Sequence, residues 1–119
     1  MSSRPEQLRD RTKAFALNVI RLFRSLPYRT DTQVLGKQLL RCGTSVAANY
    51  RAVCRARSKA EFVARMGIVV EEADETILWL ELLIESGIVP RETCAELLAE
   101  AHELAAIFTA SQQTARKVA

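Results

Sequence analysis

The chain has 119 residues, 49% of them hydrophobic and 26% charged, with a formal net charge of +3. That is the size and composition of a single soluble domain with one core, spanning residues 1–119. No apolar run reaches the roughly 20 residues of a membrane span, and the opening MSSRPEQLRD lacks the apolar stretch of a signal peptide.

Helical periodicity accounts for nearly the whole chain. The first helix is expected over about residues 5–25, with Pro5 in its first turn and Pro27 stopping it. Its inner stripe is Leu8, Thr12, Phe15, Val19, Leu22, Phe23 and Leu26. Thr30, Asp31 and Thr32 all qualify as caps for a second helix over about residues 32–57. Winding that helix places Leu35, Leu39, Cys42, Val46, Asn49, Tyr50 and Val53 on its apolar face. Asn49 there reads as a buried amide that fixes helix register. Gly36 and Gly43 fall beside this stripe, where small residues admit another helix backbone.

The opposite face carries Lys37, Arg41, Arg51 and Arg55, a basic ridge. Arg57, Lys59 and Arg65 continue the positive charge beyond it. From Arg41 to Arg65 there are six basic residues and one acid, whereas Met66 to Glu100 holds nine acids and one base. This polarity suits an anionic ligand or subunits meeting head to side, and a solvated face remains the plain alternative.

A third helix, over about residues 59–86, opens on Ser58-Lys59-Ala60-Glu61, a capping box. Ser86-Gly87 ends it. Phe62, Met66, Val69, Val70, Ala73, Ile77, Leu80 and Ile84 form its core stripe, yet Ile68, Trp79, Leu82 and Leu83 remain on a second face beside Glu72 and Glu75. Apolar surface of that extent marks an interface, so Ile68, Glu72, Glu75, Trp79, Leu82 and Leu83 are the expected self-association surface. Trp79 reads as a subunit contact rather than a base-stacking platform. A fourth helix, over about residues 90–116, starts at Pro90 and runs towards a frayed basic tail at Arg116 and Lys117. Four helices with short connections imply an all-α, antiparallel up-down bundle.

The stretches LGKQLLRCGTSVAANYRAVCRARSKAEF and EEADETILWLELLIESGIV resemble the four-helix-bundle family first noticed inside intervening sequences of bacterial 23S ribosomal RNA genes, often labelled S23 ribosomal protein. The resemblance spans about Phe15 to Val89, and the fourth helix is its least distinctive part. Relatives include the accessory variability proteins of diversity-generating retroelements, which assist a reverse transcriptase. The resemblance implies a ring-like homopentamer and a role in handling RNA or ribonucleoprotein.

Catalytic chemistry finds no support. The single histidine, His102, has Ala99 three residues before it, so the Glu-x-x-His pair of bundle di-metal sites is absent. Ser45 and Thr44 have no neighbouring histidine in sequence, and Gly36 and Gly43 belong to no phosphate-binding loop. Glu71, Glu72, Asp74 and Glu75 are split over different helix faces. No enzyme activity, cofactor, metal or small-molecule substrate is expected. Cys42, Cys54 and Cys94 match no zinc spacing and read as reduced thiols of a cytoplasmic protein. Two functional readings follow. In one, Lys37, Arg41, Arg51, Arg55, Arg57, Lys59 and Arg65 contact RNA phosphates. In the other, the protein is an oligomeric scaffold for a protein partner, its arginines pairing with Glu72 and Glu75 across subunits.

Overall fold

The structure is a computed structural model and describes residues 3–117. It is an all-α, four-helix up-down bundle: α1 (Arg4–Ser25), α2 (Thr30–Val53), α3 (Lys59–Glu85) and α4 (Arg91–Lys117). Ser3 starts α1, its hydroxyl accepting the Glu6 N–H at 3.2 Å, and Pro5 follows in the first turn. Leu26 leaves the helix in an extended conformation, as the residue before a proline must.

The boundaries of α2 depart from expectation at both ends. It begins at Thr30, capped by an extended Arg29 that makes no side-chain cap bond, so none of the three candidate caps serves as N-cap. Asp31 instead turns its carboxylate to the Thr32 N–H at 2.7 Å. At the other end α2 stops at Val53, four residues short of the expected Arg57. The reason is the reversal into α3. Ser58 must be extended to cap that helix, so the Arg55 and Ala56 N–H groups close tighter turns onto Ala52 and Val53, at 3.1 and 3.0 Å. The capping box forms with one change. The Ser58 hydroxyl takes the Glu61 N–H at 3.0 Å, but the Glu61 carboxylate reaches one residue further back, to the Arg57 N–H at 3.2 Å.

Gly87 ends α3 in the left-handed region, φ +82°. Its N–H returns to the Ile84 carbonyl, and the Val89 N–H to the Leu83 carbonyl. The fourth helix continues through Arg116 and Lys117, which form its last turn rather than a frayed tail. Two cations there oppose the negative end of the helix dipole.

Each helix packs chiefly on its sequence neighbours, and those on the diagonals keep their backbones apart. The core holds Phe15, Val19, Leu39, Val46, Met66, Val69, Leu80, Leu83, Leu104 and Phe108, all at most 2% exposed. Across the diagonal, the Tyr50 and Phe108 rings meet at 5.3 Å between centroids. The buried hydroxyls of Thr12 and Thr76 bond back to the Arg9 and Glu72 carbonyls. Asn49 is only half-buried, and its amide donates to the Ser45 carbonyl and hydroxyl within its own turn.

Gly36 and Gly43 both face α1. A Cβ on Gly43 would lie 2.7 Å from Val19 Cγ2, and one on Gly36 would lie 2.9 Å from Leu26 Cδ1. The α1–α4 seam is the lightest of the four. Arg11 crosses it, with Nε and Nη2 on the two Glu100 oxygens at 2.8 and 2.7 Å and a second contact from Nη2 to Glu103 at 2.8 Å.

Candidate nucleic-acid interface

Shortening α2 breaks the basic ridge and gathers its far end. Arg51 stands on the last turn of α2, Arg55 and Arg57 on the connection, and Arg65 on the second turn of α3. Together with Glu61 they line an open groove of about 680 Å³ floored by Ala48 and Ala52. Glu61 is already engaged. Its carboxylate accepts the Arg57 N–H and sits 2.9 Å from Arg65 Nε, and those two donors hold it below the usual carboxylate pKa. Among the described residues, Arg51, Arg55 and Arg57 form no ion pair. The groove therefore presents three unneutralised guanidinium groups around a floor without long side chains.

The other sequence candidates separate. Lys59 is exposed on the first turn of α3 but does not line the groove. Lys37 lies towards the opposite end of α2, in a hollow with Tyr28 and Arg29. Arg41 is not a free cation: its guanidinium pairs with Glu75 and stands 3.6 Å from Glu72. Arg41 of α2 thus meets Glu72 and Glu75 within the subunit, because α2 and α3 are direct neighbours. A thiol completes the cluster. Cys42 Sγ donates to Glu75 Oε2 at 2.7 Å.

Desolvation, then the adjacent Glu75 carboxylate, push the Cys42 thiol up to about 12. The thiol and the guanidinium in turn hold Glu75 below the usual carboxylate range. Ligand atoms of Cys42, Glu72 and Glu75 lie within 4.8 Å of one another and could in geometry hold a cation. Here Glu75 is the centre of a hydrogen-bonded ion-pair network, accepting from both Arg41 and Cys42, while Glu72 Oε2 is buried without a hydrogen-bond partner. Sequence spacing could not reveal it, since Cys42 and Glu75 are 33 residues apart. A direct consequence concerns reactivity, because the thiolate is the nucleophile. Burial also raises the Cys94 thiol, whereas Cys54 is half-exposed. Iodoacetamide at neutral pH should therefore modify Cys54 alone in the folded protein and all three thiols after denaturation, as read by peptide mass spectrometry.

On the expected self-association face, Ile68 and Leu82 are exposed, at 44% and 38%, and Leu78, which the periodicity did not single out, joins them at 46%. Trp79 is half-buried against the core. Leu83 is a correction. It is fully buried in its own bundle, because α3 packs between α2 and α4 and turns this side inward.

Two cations outside the α2–α3 run also stand at this end of the bundle. Arg9 and Lys13, one turn apart on α1, line a second groove of about 420 Å³ with Asp10, Ala47, Ala48 and Arg51. Their four-residue spacing, together with an up-down topology that sets the start of α1 beside the end of α2, was the available signal. No helix among the described residues is long and apolar enough to cross a membrane.

No curated protein matches the sequence. The fold is similar to the crystal structure, at 1.70 Å resolution, of a protein of unknown function from the S23 ribosomal protein family of Bacteroides thetaiotaomicron. The TM-score is 0.85 and the identity 31%, over 93% of this chain and 99% of that one. Residues 7–110 match the family described as 23S rRNA-intervening sequence protein. That match extends past the Phe15–Val89 stretch into α4, and the chain belongs to this family.

Proposed function

We propose that the protein is a non-enzymatic, RNA-binding accessory that works as a homopentamer, each subunit offering its α2–α3 groove to a phosphate backbone. The observation that carries this is the convergence of Arg51, Arg55, Arg57 and Arg65 on one alanine-floored groove, three of them without an acidic partner. Lys59 adds to the same positive field. Repeating a modest site around a ring raises avidity without new contacts. The pentamer follows the family resemblance, and the exposed Ile68, Leu78 and Leu82 supply apolar surface for such contacts. The scaffold alternative loses one support, because Arg41 already meets Glu72 and Glu75 within the subunit.

The test is fluorescence anisotropy with structured and single-stranded RNA across a salt series, after sedimentation equilibrium has established the assembled mass. Log affinity should fall linearly with log salt. For single strands, Arg51→Ala/Arg55→Ala should lower that slope by about 1.4, two phosphate contacts at about 0.7 each. Absence of binding at low salt sinks the RNA role, and a mass other than five chains sinks the pentamer.

A further inference from the structure

The two grooves described above share a wall. Arg51 and Ala48 line both, so Arg51 stands where the α2–α3 groove meets the α1–α2 groove. Together the grooves carry six cations (Arg9, Lys13, Arg51, Arg55, Arg57 and Arg65) and two carboxylates, Asp10 and Glu61. That excess of four exceeds the +3 of the whole chain, so the remainder of the molecule is slightly acidic. Arg9 and Lys13, like Arg51, Arg55 and Arg57, form no ion pair among the described residues. The floor is Ala47, Ala48 and Ala52, which leaves the passage between the grooves low.

We infer that Arg9 and Lys13 are phosphate-binding residues, and that the two grooves form one track. A single RNA backbone then runs across the end of the bundle, from the α2–α3 turn over α2 to α1. It does not follow α2 lengthwise. A path along the basic ridge of α2 would be interrupted midway, where Arg41 is paired with glutamates. Neither groove is lined by an aromatic side chain, so binding rests on phosphate charge and is indifferent to base identity. This inference deepens the RNA reading and rests on it.

The experiment uses the full chain and fluorescein-labelled oligo(U) and oligo(A) RNA, with anisotropy measured at several salt concentrations. Arg9→Ala/Lys13→Ala should weaken binding and make the log–log salt slope shallower by about 1.4. Asp10→Asn should tighten it, and Arg24→Ala, at the other end of the same helix, should leave it unchanged. All these positions are exposed, and matched circular-dichroism melts establish that each variant folds. If the wild-type chain binds and Arg9→Ala/Lys13→Ala binds equally well, the track ends at Arg51 and the inference fails while the RNA reading stands. An equal loss in Arg24→Ala would also overturn it, by showing that charge anywhere suffices. A strong preference between oligo(U) and oligo(A) would contradict a phosphate-only track. A wild-type chain that binds neither RNA at low salt removes the RNA reading itself.

Discussion

Phe108→Ala should destabilise the bundle by about 3–5 kcal/mol, the usual cost of emptying a fully buried aromatic site. Phe108 has no exposed surface, and its ring lies 5.3 Å from that of Tyr50, tilted by 30°. The pair joins α4 to α2, two helices whose backbones do not approach each other. Removing the ring therefore leaves a void between α4 and the last turn of α2. Single domains have only about 5–15 kcal/mol of stability in total, so this one change takes a large share. Urea unfolding followed by circular dichroism measures it, and Phe108→Leu, which keeps most of the volume, should recover much of the loss. A cost below about 1 kcal/mol would mean that α4 collapses inward, and that the aromatic pair does not set the spacing of the diagonal.

Gly43→Ala should also destabilise, against the direction of helix propensity. In an isolated helix alanine is favoured over glycine by about 1 kcal/mol. Here the new methyl would lie 2.7 Å from Val19 Cγ2, 2.9 Å from its Cγ1 and 3.1 Å from its Cβ. Rotating the side chain cannot clear a contact with Cβ. Valine is stiff in a helix in any case, and Val19 is fully buried. Relief requires α1 to move off α2, an overpacking strain of about 1–3 kcal/mol. The strain outweighs the propensity gain over most of that range, and the thermal midpoint should fall. Gly36→Ala is the informative contrast. Its methyl would meet Leu26 Cδ1 and the Phe23 ring edge, the ends of longer side chains that can shift, so its cost should be much smaller. Adding Val19→Ala to Gly43→Ala should recover part of the loss, a non-additive coupling that distance alone would not produce.

The same close approach shows what could be read from the residues. Gly36 and Gly43 beside an apolar stripe signalled a tight helix contact, and the structure supplies α1 as the partner. Capping chemistry located the starts of α1, α3 and α4 to within a residue, because Ser58, Pro5 and Pro90 act on their nearest neighbours. The end of α2 was misplaced, since no glycine or proline marks it. What stops the helix is the reversal that Ser58 needs, a demand made by the next helix. Leu83 was assigned outward because α3 is apolar on more than one side, and periodicity cannot separate a face turned to a neighbouring helix from one turned to solvent. The fate of Arg41 was beyond local pattern altogether, as its partner Glu75 lies 34 residues away. The basic site was half legible. Its α2–α3 arginines stood out as a run, whereas Arg9 and Lys13 join them only through the packing of α1 on α2.

The seam bridged by Arg11 joins the first helix to the last. Contacts between successive helices close short stretches of chain and can form early, as low contact order favours rapid folding. The bond from Arg11 to Glu100 spans 89 residues and cannot form until the last helix is in place. Joining the two most lightly packed helices, it lies where opening costs least. Breathing of the native protein is thus directed to the α1–α4 edge, leaving the α2–α3 hairpin with its arginine-lined turn as the part that stays folded longest.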